Sequence, residues 1–162
     1  MNKVRNILVI VAFTVLMAQP ALARSCYTKA EAEAEQGIRI HSELMVIGLN
    51  CQGMRFRDGT NLYVKYREFT KRHEYIFADY EERLIGYFRK SGNSNPEGAL
   101  NTMRTNFANK ISLDSANMQP HMFCNRYANR IIKVGGMSGD SVRQWAATFY
   151  PAHPVSQPIC EQ

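Results

Sequence analysis

The four histidines are the residues of this chain best suited to acid–base or metal chemistry: His41, His73, His121 and His153. No two of them lie three or four residues apart, so no turn of a helix would present a pair of imidazole ligands. His73-Glu74 begins like the HExxH motif of zinc proteases, but Phe77 stands at the position of the second histidine. The spacing therefore predicts no metal site.

His41 and His73 are the candidate polar residues of the core, because each lies among apolar residues at helical spacing. The favoured interpretation is a packed histidine that is hydrogen-bonded to a neighbour. In the alternative, both face a cavity inside a helical bundle and form the site of a small enzyme or of a haem or metal carrier. Met45, Met103 and Met122 would then be further haem ligands, but methionines at helical spacing more commonly fill the core. We therefore expect no cofactor.

Basic and aromatic residues are densest in residues 55–72. In a cytosolic protein this pattern would indicate nucleic-acid binding, whereas an exported protein would more sensibly bind an anionic polymer or lipid head group of the envelope. Lys65, Lys71 and Arg72 are the candidate binding residues. The competing interpretation, which we favour, is a solvated helix face whose long cationic side chains cover core aromatic rings.

Residues 1–23 have the pattern of a cleaved export signal. Lys3 and Arg5 precede an apolar run over residues 7–17, and small residues follow at Ala21 and Ala23. The run is too short to span a membrane, so we expect no transmembrane span after cleavage. Residues 24–162 would form one periplasmic domain. Removing Lys3 and Arg5 from 20 basic residues leaves 18 against 14 acidic residues, a mild net charge of +4.

All four cysteines lie in the mature part of the chain: Cys26, Cys51, Cys124 and Cys160. An even number of cysteines in an exported protein indicates two disulfides, and no CxxC redox motif is present. Three pairings are possible. If consecutive helices run antiparallel, Cys51 and Cys124 lie at one end of the molecule and the other two cysteines at the opposite end. We therefore expect Cys51–Cys124 and Cys26–Cys160.

The spacing of apolar residues predicts an all-α fold with four principal helices and a short C-terminal helix, arranged as an up-and-down bundle and held by two disulfides. The longest apolar stripe covers residues 62–90 and predicts one continuous helix. Its surface pairs Glu68 with Arg72 and Asp79 with Arg83 at i,i+4. An extended tail that contains prolines begins at about residue 151.

The first helix should begin at Thr28, because Thr28 and Glu31 have the spacing of a capping box. Glu31, Glu33 and Glu35 then lie near the positive end of the helix dipole. We attribute this acidic cluster to capping and solubility rather than to metal binding. A third helix should restart at Asn95-Pro96, and a fourth at Pro120.

Three segments carry a resemblance: SELMVIGLNC at residues 42–51, NLYVKYREFTKRH at residues 61–73, and FC at residues 123–124. In these segments the chain resembles small exported bacterial helical proteins of unknown function. The resemblance implies a helical periplasmic domain and no activity.

The sequence favours a non-enzymatic binding or structural role at the cell envelope. The partner would be an anionic envelope component or a periplasmic protein, and not a nucleic acid. The alternative is the small helical enzyme or cofactor carrier described above. No nucleophile and base can be paired from spacing alone, because such residues meet only in the folded chain.

Overall fold

The computed structural model describes residues 26–55 and 59–161, which contain six helices. They are α1 (Lys29–Asn50), α2 (Leu62–Arg72), α3 (Glu74–Lys90), α4 (Pro96–Ala116), α5 (Pro120–Val134) and α6 (Gly139–Ala146). The described part of the chain forms no sheet, so the predicted all-α class is confirmed. The proposed export signal lies outside the described residues.

Helix α1 begins with the predicted capping box. The hydroxyl of Thr28 accepts a hydrogen bond from the backbone N–H of Glu31 at 3.2 Å. The carboxylate of Glu31 accepts one in return from the backbone N–H of Thr28 at 2.7 Å. The predicted start of α4 is confirmed in the same way, because the side chain of Asn95 accepts from the N–H of Gly98. Each cap satisfies N–H groups that have no partner within their own helix.

Helix α1 is the central element and packs against each of the other five helices. Ala32, Ala34 and Ile38 are fully buried along it, and so is Ile47. Small residues allow neighbouring helices to approach closely, and Gly37 lies directly under the ring of Tyr80 on α3. Residues 62–90 therefore form one of the several segments that pack around α1.

The predicted continuous helix over residues 62–90 is wrong at His73, where the structure separates α2 from α3. His73 has φ −115° and ψ 20°, outside the helical region. Its backbone carbonyl accepts hydrogen bonds from the N–H groups of both Ile76 and Phe77. With the two parts counted as one interrupted helix, the six helices correspond to the predicted four plus a short one.

Two cysteine pairs lie at disulfide distance, with the predicted partners. The Cα atoms of Cys51 and Cys124 are 5.7 Å apart, and those of Cys26 and Cys160 are 5.1 Å apart. The first pair joins the end of α1 to the second turn of α5 and is completely buried. The second joins the two ends of the described chain.

The C-terminal tail, residues 151–161, has no helix and packs alongside α1. The backbone N–H of Tyr27 donates to the carbonyl of Pro158, and that of Cys160 donates to the carbonyl of Tyr27, both at 2.8 Å. These two bonds form a single parallel bridge beside the disulfide. Among the described helices, none is sufficiently long and apolar to cross a membrane.

Candidate functional site

The predicted basic surface lies on α2, and its members differ in their surroundings. Lys71 and Arg72 are exposed, whereas Lys65 is half-buried. The guanidinium of Arg72 donates to the backbone carbonyl of Gly135 at 2.7 Å and so ties the end of α2 to the end of α5. Arg72 therefore has a structural contact that the sequence did not predict.

Lys65, Arg67 and Lys71, which we call the α2 cations, have no carboxylate within 4 Å in the part of the chain that the structure describes. The i,i+4 pair expected between Glu68 and Arg72 is likewise not formed. On α3, by contrast, the predicted pair of Asp79 and Arg83 is present at 3.1 Å. The α2 cations thus form no ion pair with a described carboxylate, although Glu68 and Glu74 line the same groove as Arg67 and Lys71.

His73 is buried where α2 meets α3, and 2% of its surface is exposed. Its Nε2 lies 3.1 Å from the backbone carbonyl of Met137, in the loop before α6. Its ring packs edge-on against Phe69, with the ring centres 5.1 Å apart. Nδ1 has no hydrogen-bond partner among the described residues. These contacts join the α2–α3 junction to the α5–α6 loop.

His41 packs against a different part of the aromatic core. Its ring lies 4.7 Å from that of Phe77, and its Nε2 is 3.3 Å from the hydroxyl of Tyr66. Burial, with a smaller contribution from Arg104, lowers the pKa of His41 to about 4. His41 is therefore neutral near pH 7.

A row of aromatic rings connects His41 to His73. The ring of His41 contacts Phe77, Phe77 contacts Phe69, and Phe69 contacts His73.

The densest buried polar network was missed by sequence reasoning and is centred on Glu35, whose exposure is 0%. Its carboxylate accepts from the backbone N–H of Ser156 at 2.9 Å and from the hydroxyl of Ser156 at 2.5 Å. Arg39 donates to the same carboxylate at 3.3 Å. Our assignment of Glu35 to helix capping and solubility is therefore wrong, because the tail covers this residue.

Arg39 and Gln36 hold the preceding part of the tail. Arg39 Nη2 donates to the carbonyl of Pro154 at 2.7 Å, and its guanidinium lies 4.5 Å from the ring centre of Phe107. The side-chain amide of Gln36 donates to the carbonyl of His153 at 2.6 Å. We call Glu35, Gln36 and Arg39 the tail clamp. The acid-first i,i+4 spacing of Glu35 and Arg39 was the one signal of this network in the sequence.

A polar cavity of about 240 Å³ lies beside the tail clamp. Its lining comes from α1, α5, α6 and the segment that follows α6: Gln36, Arg39, Ile40, Glu43, Arg130, Trp145, Thr148, Tyr150 and His153. Arg130 and Glu43 form an ion pair across it at 2.6 Å. Because separate parts of the chain wall the cavity, no local sequence motif could have predicted it.

A larger groove of about 410 Å³ runs along α2. Its described lining comes from a single stretch, residues 64–74. One stretch of helix walls only one side of a groove, so this groove encloses a ligand less well than the polar cavity does. Among the described residues, no cluster of three potential metal ligands is present.

Charged groups act on the polar cavity from three helices. Burial is the main cause of the lowered pKa of His153, and the cations Arg39, Lys110 and Arg130 lower that pKa further. Glu43 acts in the opposite direction. Three of the four charged groups that act on His153 are therefore positive.

Comparison of the chain with known protein families, with curated proteins and with solved structures finds no match.

Proposed function

We propose that this protein is exported to the periplasm and has a non-enzymatic role, binding an anionic component of the cell envelope through the α2 cations. In this proposal the mature chain is an up-and-down bundle of four principal helices and a short C-terminal helix. Two cysteine pairs at disulfide distance support an oxidising compartment. The observation that carries the proposal is the exposed pair of Arg67 and Lys71 on α2, which has no ion-pair partner among the described residues.

Cations without an ion-pair partner favour contact with an anionic surface. Each lysine or arginine close to an anionic membrane contributes about 1 kcal/mol to binding. A carboxylate already paired with such a cation would reduce this attraction. Most other arginines of the described chain have an acidic or backbone partner, as Arg83, Arg104 and Arg143 do. The lysines outside α2 also lack a carboxylate partner among the described residues, but Arg67 and Lys71 lie one turn apart on the same exposed helix face and so form the better surface for an anionic lipid or polymer.

The test is co-sedimentation of the intact protein with vesicles of phosphatidylglycerol and with vesicles of phosphatidylcholine. We expect binding to phosphatidylglycerol only, decreasing as salt is added. A double variant, Arg67→Glu with Lys71→Glu, should lose this binding while keeping its helical content. Arg72 is left unchanged because it bonds the carbonyl of Gly135.

The matched control is Lys29→Glu with Lys90→Glu, which makes the same change of charge at exposed positions on α1 and α3. It should retain most of the binding. Equal loss in the two double variants would mean that net charge alone governs association, and the α2 cations would then not be the binding surface. Binding of the unmodified protein to both kinds of vesicle would also contradict the proposal.

A further inference from the structure

We propose that the polar cavity beside the tail clamp is a binding site for a small organic carboxylate. This site is separate from the α2 cations and does not depend on binding to the envelope. It is built from parts of the chain that the fold brings together from residues 36–43, residue 130 and residues 145–153.

The cavity has a buried floor and an open rim. Gln36 and Arg39 are 5% and 7% exposed and form the floor together with Ile40, whereas Thr148 and Tyr150 at the rim are exposed. A volume of 240 Å³ corresponds to about eight water molecules at liquid density. The site therefore fits a compact molecule of benzoate size better than a peptide or a sugar chain.

The polar groups of the cavity favour a negative charge. Both side-chain hydrogen bonds of Arg39 run from Nη2, and its Nε is buried without a partner in the described chain. His153 Nδ1 is buried without a partner as well. Buried polar atoms are nearly always hydrogen-bonded, so these two unpaired atoms, on residues that line the same cavity, would gain partners if a polar ligand bound there and neighbouring groups shifted to let it reach them.

The surrounding charges have the same preference. Arg39, Lys110 and Arg130 act near His153 against two carboxylates, those of Glu43 and of Glu35, the partner of Arg39, so cations exceed acids by one. The side chain of Arg130 is 38% exposed, so it can contact a ligand at the rim while it keeps its ion pair with Glu43, whose side chain is 14% exposed. A carboxylate would therefore gain charge-assisted hydrogen bonds at the floor or the rim, whereas an ammonium group would meet an excess of positive charge.

Trp145 and Tyr150 supply aromatic surface for the apolar part of the ligand. Trp145 is the only tryptophan of the chain. Its fluorescence therefore reports on this cavity and on no other part of the protein, so binding can be measured directly on the intact protein.

The test uses three probes of nearly equal shape: benzoate, benzamide and benzamidine, which are negative, neutral and positive. We expect a saturable change of Trp145 fluorescence with benzoate, with an affinity at least about tenfold higher than that of benzamide. Benzamidine should bind more weakly than either. Equal affinity for benzoate and benzamide, a preference for benzamidine, or no saturable change with benzoate would overturn the proposal.

Arg130→Gln is the informative variant, because it removes a cation at the exposed rim and leaves the tail clamp intact. It also leaves Glu43 without its partner, so the affinity for benzoate should fall by at least about tenfold. Arg126→Gln, one turn earlier on α5, removes an exposed cation that does not line the cavity and should leave the affinity unchanged. Equal effects of the two substitutions would show that benzoate binds elsewhere.

Discussion

The carboxylate of Glu35 on α1 accepts two hydrogen bonds from Ser156 in the C-terminal tail, one from its backbone N–H and one from its hydroxyl. Arg39 provides a third donor. A fully buried carboxylate is stable only when donors of this kind replace water. The tail therefore belongs to the packed core, because its Ser156 supplies two of the hydrogen bonds to the buried carboxylate of Glu35.

Replacing Ser156 with Ala removes one of the three donors to Glu35 and should lower the free energy of unfolding by about 1–2 kcal/mol. Glu35→Ala should cost more, about 3–5 kcal/mol, because it leaves the buried guanidinium of Arg39 without its acid. Urea unfolding followed by circular dichroism measures both. Ser94→Ala, in the exposed loop before α4, is the control and should change stability by less than about 0.5 kcal/mol. A Ser156→Ala effect no larger than that of the control would contradict the importance of this contact.

Two helical glycines should respond to alanine in opposite directions. A Cβ atom at Gly37 would overlap the ring of Tyr80, which is 1% exposed and cannot move aside. Gly37→Ala should therefore destabilise the fold by about 1–3 kcal/mol in spite of the better helix propensity of alanine. At Gly86 on α3 the same Cβ would meet no atom within 4 Å, so Gly86→Ala should stabilise by about 0.5–1 kcal/mol.

Thermal unfolding of the two glycine variants provides the measurement, since both carry the same chemical change in an α-helix. Stabilisation by Gly37→Ala would mean that α1 and α3 do not pack as closely as the structure places them. Destabilisation by Gly86→Ala would argue against the open space beside that residue.

Features set by a few neighbouring residues could be predicted from the sequence. The capping box of Thr28 and Glu31 and the cap at Asn95 depend on residues three positions apart. The pairing of Cys51 with Cys124 followed from the alternating direction of successive helices. These inferences needed only helical periodicity and the approximate position of each helix end.

Features that depend on distant parts of the chain could not be predicted in this way. Glu35 looks like a surface acid until Ser156, more than a hundred residues later, covers it. The break at His73 lies inside an unbroken apolar stripe, and the partner of its imidazole is Met137. The polar cavity combines residues from three helices and the segment after α6, so its composition is visible only in the folded chain.

The two disulfides should differ in their resistance to reduction. Cys51 and Cys124 are completely buried, whereas Cys26 and Cys160 are partly exposed. Because thiol–disulfide exchange requires access to a sulfur atom, a mild thiol reductant should open Cys26–Cys160 first. Alkylation followed by peptide mass spectrometry identifies the reduced pair. In urea both pairs should react together, and earlier reduction of Cys51–Cys124 in the native protein would contradict its burial.

The histidine at position 41 should make the fold less stable in acid. Its pKa is about 4 in the folded chain, against about 6.5 when unfolded, so between these values the unfolded chain binds the additional proton. The free energy of unfolding therefore falls as the pH is lowered from about 6.5 to 4, and His41 contributes about 2–3 kcal/mol to that loss. In urea unfolding at pH 7 and pH 4.5, His41→Gln should reduce the acid-induced loss, whereas His121→Gln, at an exposed position on α5, should not. If His41→Gln lost as much free energy of unfolding between pH 7 and pH 4.5 as the unsubstituted protein does, protonation of His41 would not be the cause of the acid-induced loss.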